Sequence, residues 1–378
     1  MYIFLTIFLT CYGGMQWYWY RNALSSIPNT MIAKFFVALF LFLMMLAPLL
    51  IRLLEQRGNE GTARWTAVIG YSWMGFLFLS CSCFLLLDLF RLLLRALAYG
   101  GYAGTTERFF PDAGYSFPGV TILVVAIMIY GWYEARAIRT ENIDLYTTKI
   151  PKAAGTITVV QISDVHLGLL VGEGRLKTIL AAIRAAEPDL LVATGDLVDG
   201  QMDRHDGLAR LMGEIQPRLG KFAVTGNHEL YGGSRQALSF LKDAGFTVLR
   251  GEVFDIHGIM TVAGVDDPVF GGKSEAVKQE RRVLSLAASD RFLLLLKHRP
   301  LIDTGSRGRF DLQLSGHVHQ GQIFPFGLLT RIQFPLPTGL SGIEEGGAVY
   351  VSRGTGTWGP PIRFLAPPEV TVFHLRHP

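Results

Sequence analysis

Seven side chains able to hold divalent cations fall in five short motifs, all after residue 160. They are Asp164 and His166 in Asp164-Val165-His166, Asp196 in Gly195-Asp196, Asn227 in Gly226-Asn227-His228-Glu229, His298 in Lys297-His298, and His317 and His319 in Gly316-His317-Val318-His319. Imidazole and carboxylate together suit borderline ions such as Mn²⁺, Fe²⁺ and Zn²⁺ better than Ca²⁺. Two such ions about 3.5–4 Å apart need a carboxylate bridging them, and a pair of this kind activates water and clamps phosphoryl oxygens. One Asp-x-His or His-x-His alone says little. Five motifs in this order, each at the end of an apolar run, point to metal-assisted hydrolysis.

Those apolar runs are the elements that must position the motifs. Ile157-Thr158-Val159-Val160-Gln161-Ile162 reads as a strand ending at Ser163-Asp164, and Leu190-Leu191-Val192-Ala193-Thr194 as one ending at Gly195-Asp196. Phe222-Ala223-Val224-Thr225, Phe292-Leu293-Leu294-Leu295-Leu296 and Leu312-Gln313-Leu314 lead in the same way to Asn227, His298 and His317. Helices are expected over 176–186, 234–244 and 274–288, the second capped by Ser234 and ended by Gly245. Residues 253–256 and 260–264 read as a strand pair, and 349–351 and 370–373 as closing strands. Such alternation gives layered α/β sheets that bind ligands outside the carboxyl ends of their strands. Glycines before Asp196, Asn227 and His317 allow the backbone to turn sharply there.

The N-terminal part is of another kind. The 378 residues are 50% hydrophobic and only 17% charged, too apolar for one soluble domain. Four apolar stretches, near 1–20, 31–54, 65–87 and 114–133, read as membrane-spanning helices. The first has no Lys or Arg before Arg21 and closes on Trp17-Tyr18-Trp19-Tyr20, an interfacial belt rather than the basic start of a signal peptide. Asp88, Arg91 and Arg95 read as an ion pair with snorkelling arginines at a helix end. Before residue 140 there are 10 Lys+Arg against 6 Asp+Glu, and from 140 onward 25 against 25. The net charge of +4 therefore lies in the N-terminal part. The balanced remainder gives no reason to expect a nucleic-acid partner. Cys11, Cys81 and Cys83 all lie in apolar stretches, so the C-terminal part has no thiolate or disulfide. The expected organisation is a membrane region at 1–140, a linker at 141–156 and a catalytic domain at 157–378. With four spans, Arg52, Arg57, Arg64, Arg136, Arg139, Lys149 and Lys152 share one side with the catalytic domain. Arg21, Lys34, Arg91, Arg95 and Arg108 lie on the other, which favours a cytoplasmic domain.

Asp164-Val165-His166, Gly195-Asp196-Leu197-Val198-Asp199, Gly226-Asn227-His228-Glu229, Lys297-His298-Arg299-Pro300 and Ser315-Gly316-His317-Val318-His319-Gln320-Gly321-Gln322 together resemble the calcineurin-like metallophosphoesterase superfamily. With its N-terminal spans the chain looks most like the bacterial membrane-bound branch, at home in the inner membrane. The resemblance implies an α/β fold, a four-layer αββα sandwich preceded by a bundle of about four transmembrane helices. It implies two divalent metal ions, Mn, Fe or Zn. Asp164, His166 and His319 would hold one, Asn227, His298 and His317 the other, and Asp196 would bridge both. A bridging hydroxide would then attack phosphorus in line. Asn227 would also orient the phosphate, and His228 would stabilise the transition state or protonate the leaving oxygen. Asp199 would support the Asp196 loop, with Glu229 an outer partner.

Other polar residues have plainer readings. His205, His257, His374 and His377 match no motif and read as surface or loop histidines. Asp266-Asp267 reads as a turn before Pro268, and Gly354-Thr355-Gly356-Thr357 as a tight turn after a strand. Arg353 beside that turn is a candidate substrate contact. Residues 323–337, with Phe324, Phe326, Leu328, Leu329 and Phe334, make an apolar loop directly after the last ligands. It is expected either to pack on the sheet or to meet an acyl chain or the bilayer.

The leading reading is thus a membrane-anchored phosphoesterase cleaving a phosphodiester or pyrophosphate bond, on a lipid-linked substrate such as UDP-2,3-diacylglucosamine of lipid A synthesis. The chain departs from the soluble enzymes of that activity, which carry Arg where it has His228. Phospholipid or nucleotide diesters are the alternative substrates. A membrane sensor with a vestigial hydrolase domain predicts missing ligands, and none is missing. A transporter predicts intramembrane charge, which is sparse.

Overall fold

This computed structural model describes residues 2–102, 113–199, 206–288 and 290–378, so His205 and Arg108 lie outside the described residues. The chain divides into two compact units, Met1–Trp132 with Gly359–Ile362, and Tyr133–Trp358 with Arg363–Pro378.

The first unit carries the helices α1 (Tyr2–Ala23), α2 (Met31–Gln56), α3 (Glu60–Leu97) and most of α4 (Ala113–Glu134). Thr30 caps α2, its hydroxyl accepting from the Ala33 N–H at 3.2 Å. Among the described residues, three stretches are long and apolar enough to cross a membrane: Met31–Gln56, Glu60–Gly100 and Tyr115–Glu134. The expectation of four is corrected on this point. α1 is helical, but Gly13, Gly14, Gln16 and the run from Trp17 to Tyr20 dilute its apolar first half. Asp88 does pair with Arg91 at 3.2 Å, and it also accepts from the Tyr18 hydroxyl at 2.6 Å.

Two six-stranded sheets build the second unit. One takes β1 (Arg139–Tyr146), β2 (Ile157–Ile162), β3 (Leu190–Thr194), β4 (Lys221–Val224), β5 (Thr247–Val248) and β12 (Glu369–Arg376), in the order β1-β12-β2-β3-β4-β5. The other takes β6 (Glu252–Ile256), β7 (Met260–Gly264), β8 (Phe292–Leu296), β9 (Leu312–Ser315), β10 (Gly339–Gly342) and β11 (Ala348–Val351), in the order β10-β11-β9-β8-β7-β6. β2, β3 and β4 are mutually parallel, as are β7, β8, β9 and β11. β1 pairs with β12 along its whole length, so the segment read as a linker supplies an edge strand.

Successive side chains of a strand point to opposite faces, and here both faces are covered. Val159, Val192 and Phe222 of one sheet meet Met260, Leu294 and Leu314 of the other in a core between the sheets. Val160, Leu191 and Ala223 pack outward against Ile179, Leu208 and Phe240. Those three belong to the helices α5 (Glu173–Ala185), α6 (Asp206–Gly213) and α8 (Ser234–Asp243), with the short α7 (Asn227–Tyr231) between the last two. On the far side Ala263, Leu295 and Val349 pack with Val283 and Leu284 of α9 (Lys273–Leu286). The result is the expected helix–sheet–sheet–helix sandwich. Burial on both faces is why its strands read as continuous apolar runs.

Candidate metal centre

Each motif occupies the turn after a parallel strand: 164–166 after β2, 195–196 after β3, 226–229 after β4, 297–298 after β8 and 316–319 after β9. These turns bring the seven residues together. Among the described residues three groups could hold a metal ion: Asp164, His166 and His319; His166, Asp196 and His228; and Asp196, His298 and His317. Asp196 is common to two of them. One of its oxygens lies 3.2 Å from His298 Nε2 and 4.0 Å from His166 Nε2. Nε2 of His166 and Nε2 of His319 face each other at 3.1 Å. Asn227 is buried, and its Oδ1 has no hydrogen-bond partner among the described residues.

The backbone is strained where it carries these groups. Asp164, His166, Asp196, His317 and His319 have φ of 52°, 54°, 50°, 74° and 48°, a left-handed conformation that costs an L-residue roughly 1–2 kcal/mol. Such clustering is a mark of functional turns held by their surroundings. Of the three glycines expected to make turns, Gly195 does so, at φ +89°. The other two provide room. A Cβ at Gly226 would lie 2.2 Å from Asp196 Oδ1, and one at Gly316 would lie 1.9 Å from Ser163 Oγ.

Hydrogen bonds aim the donors. Nδ1 of His298 donates to the Thr194 carbonyl at 2.8 Å, which leaves Nε2 to face Asp196. The Asp164 carboxylate accepts from the His317 N–H at 3.0 Å, tying the first motif to the last. Glu229 is fully buried and accepts backbone N–H groups from Asp196, Leu197, Val198 and Gly226 at 3.0, 2.8, 3.3 and 2.7 Å. It thereby fixes the turn that presents Asp196. Asp199 was expected to support that turn. Its side chain instead reaches His228, with Oδ1 3.0 Å from Nδ1.

Charge completes the picture. Burial keeps His166 and His317 neutral, pulling both down to about 3. Burial opposes ionisation of Asp164 and Asp196, yet His319 next to the first and His298 next to the second hold them well below the usual carboxylate range. Burial also opposes a charge on His228, but Asp196 and Asp199 outweigh it and raise the imidazole to about 9. Neutral imidazoles at His166 and His317, ionised carboxylates and a bare buried amide oxygen fit divalent cations. Burial also opposes a charge on His298, but Asp196 outweighs it and raises His298 to about 10, so a cation bound there would displace its proton.

The calcineurin-like phosphoesterase family pattern matches residues 157–321. An uncharacterised metallophosphoesterase of Aquifex aeolicus is 40% identical over 258 residues, covering 67% of this chain and 98% of that protein. The chain belongs to the calcineurin-like phosphoesterase family. The uncharacterised metallophosphoesterase YkuE of Bacillus subtilis is 32% identical over 65% of this chain and 88% of its own length. A transmembrane protein with metallophosphoesterase domain from Danio rerio is 29% identical over 68% of this chain and 61% of its own.

The phosphoesterase unit also assigns the remaining polar residues. Arg353 is bound by two carboxylates, Glu369 and Glu141, which leaves it little freedom to meet a substrate. Arg363, which lies in no motif, is fully buried. It donates to the carbonyls of Gly356, Arg353 and Ala366 at 2.8 Å each, and a further nitrogen lies 3.2 Å from His319 Nδ1. Nothing in the local sequence distinguishes it from a surface arginine. Asp267 caps the turn at Pro268, accepting from the Val269 N–H, and also holds Arg299 through both oxygens. The Gly354–Thr357 turn lies along the first motif, where Gly356 N–H donates to the Asp164 carbonyl at 3.0 Å. His257, His374 and His377 join none of the three metal groups. In 323–337, Ile323 and Phe334 are buried, while Phe326, Leu328, Leu329 and Ile332 stay exposed, all four on α10 (Phe326–Gln333).

Proposed function

We propose that the chain is a membrane-anchored hydrolase that uses two divalent ions, Mn, Fe or Zn, to cleave a phosphodiester or pyrophosphate bond in a lipid-linked substrate such as UDP-2,3-diacylglucosamine. The sharing of Asp196 between neighbouring donor groups is the observation that carries the metal count. Asp164, His166 and His319 would hold one ion, Asn227, His298 and His317 the other, and Asp196 would serve both. When bound, the ions supply Lewis acidity toward phosphoryl oxygens and lower the pKa of water. The protein supplies the rest. Asp196 Oδ1 accepts the His228 backbone N–H at 2.8 Å, so this carboxylate also fixes the loop of the proton donor. His228, kept charged beside Asp199, delivers its proton to the leaving oxygen. That engagement with Asp199 is why we read His228 as an acid rather than a metal ligand. The Asn227 amide orients the phosphate.

A cleft of about 150 Å³ supports the lipid reading. Val318, Phe324, Leu328, Phe334, Leu336 and Leu365 are among its lining residues. The Phe334 ring stands 5.0 Å from that of His317, and Leu328 and Ile332 beside the cleft are 57% and 81% exposed. Contiguous exposed apolar surface of this kind marks a lipid or partner contact. The balanced charge of residues 140–378 gives nucleic acid no foothold. A cytoplasmic domain is supported by the basic residues, seven on its side of the membrane against five on the other, a balance that three spans leave unchanged.

Purified protein in detergent with Mn²⁺ is expected to hydrolyse bis-p-nitrophenyl phosphate, and Asp196→Ala to abolish this. Inactivity with every divalent ion would sink the reading. A series of UDP-linked acyl sugars of increasing chain length is expected to show rising kcat/KM. Indifference to chain length, or a preference for diacyl phospholipids or free nucleotide diesters, would replace the proposed substrate. A C-terminal alkaline phosphatase fusion should be inactive in cells, and an active one would put the domain outside.

A further inference from the structure

We propose that Trp358 and Tyr231 form a stacking platform beside His228 for a flat aromatic ring, such as a nucleobase, joined to the phosphoryl group. Trp358 is 50% exposed and Tyr231 58%. Their ring centroids lie 5.9 and 5.6 Å from that of the His228 imidazole, at interplanar angles of 75° and 69°. Two large rings left in water at the edge of a reactive centre hold an unused hydrophobic and π surface, and a planar group attached to the reacting phosphate would cover it.

Neither ring is there by accident of a loose loop. The Trp358 N–H donates to Gln322 Oε1 and its carbonyl accepts from Gln322 Nε2, both at 2.8 Å. Gln322 closes the same left-handed turn, with φ 58°, that carries His319. The segment that aims a metal-binding imidazole therefore also sets the tryptophan. Tyr231 ends the helical turn that starts with Asn227 and His228. Tyr231 thus lies in a turn that supplies the centre, and Trp358 is held by one. The apolar cleft adjoins His317, and these rings adjoin His228. The inference rests on the proposed phosphoryl site and deepens it: the substrate carries a ring on its His228 side and a lipid on its His317 side.

The test compares phenylphosphonate with methylphosphonate, two dianions that differ in the ring and whose P–C bonds a phosphoesterase leaves intact. Binding to full-length, Mn²⁺-loaded protein in detergent is measured by calorimetry. Wild type is expected to bind the phenyl compound about ten-fold more tightly, as one aromatic stack provides. Trp358→Ala should remove most of that preference while leaving the methylphosphonate affinity in place. Trp358→Phe should keep it, and Tyr231→Ala should lose part of it. Equal affinity of wild type for the two ligands overturns the platform, as does a Trp358→Ala variant that weakens both equally. Because neither ligand is cleaved, the result stands apart from whether the lipid substrate is hydrolysed.

Discussion

Nδ1 of His228 lies 3.0 Å from a carboxylate oxygen of Asp199. The pair makes the chemistry of the proposed acid depend on pH in a definite direction. Asp196 and Asp199 raise His228 to about 9 in the metal-free site against the opposing effect of burial. Cations on Asp196 would draw it lower, leaving Asp199 to keep the proton-donating form present at neutral pH. Asp199→Asn removes one of the two stabilising charges and must lower that value. The expected shift of the alkaline limb of kcat/KM is roughly one pH unit downward, at the small end for a close opposite charge because Asp199 is partly exposed. At pH 6 the variant should be close to wild type, and at pH 8.5 clearly slower. A limb that stays where it is would remove His228 from the role of acid.

Glu229 works on backbone rather than on metal. Its carboxylate gathers the N–H groups of Gly226, Asp196, Leu197 and Val198. Burial, with Asp196 nearby, pushes it up to about 7. Glu229→Ala leaves these buried donors without an acceptor, a loss of about 3 kcal/mol at the least. Glu229→Gln turns an amide NH₂ toward N–H groups and recovers only part. Thermal denaturation in detergent should show a lower Tm for both variants, Ala below Gln. Metal affinity should fall roughly 10- to 100-fold, as it does when a ligand's outer partner is lost. An unchanged Tm in both variants would contradict the clamp.

The ligand motifs were legible in the sequence because each is local: an apolar strand, then Asp, Asn or His within two or three positions, after a small residue in every case but His298, which follows Lys297. The layered α/β sheets were legible for the same reason, while their pairing into a sandwich came from the family resemblance that these motifs carry. What escaped depends on partners far along the chain. β1 is recognisable as a strand only through β12, and Glu141 and Glu369, far apart along the chain but on these neighbouring strands, draw in Arg353. Arg363 acquires its importance from three carbonyls and His319, none of which a spacing rule can foresee. The fourth span was misjudged because an absence of charge was taken for apolarity, while Gly13, Gly14, Gln16 and Tyr18 lower the hydropathy of α1 without adding charge.

Asp196 and Asn227 should differ in metal stoichiometry. Asp196 serves both proposed ions and Asn227 only one. Plasma mass spectrometry of purified protein is expected to find two ions per wild-type chain, about one for Asn227→Ala and close to none for Asp196→Ala. Binding also offsets the strain of the five left-handed ligand residues, so chelation should lower Tm and added Mn²⁺ restore it. At a hundred-fold excess over Kd each ion stabilises by about 2.7 kcal/mol. Equal metal content in the two variants would mean that Asp196 is not shared.

Arg363 should prove to be a residue of stability and His319 alignment rather than of substrate binding. It is fully buried, and burial draws its guanidinium down to about 9, with Asp164 and Glu369 opposing that fall. Its three carbonyl partners are Arg353, Gly356 in the Gly354–Thr357 turn and Ala366 in the segment before β12, so one planar cation fastens all three to His319. Arg363→Ala removes the charge-assisted donors and opens a cavity, an expected loss of about 3–5 kcal/mol. Arg363→Lys keeps the charge but has a single nitrogen to reach partners that the guanidinium meets with three, and should recover less than half. Denaturant titration measures the first effect. For the second, Mn²⁺ binding by calorimetry should show one of the two sites weakened and the other unchanged in Arg363→Lys. Loss of both sites to the same extent would assign Arg363 to the fold as a whole and not to His319.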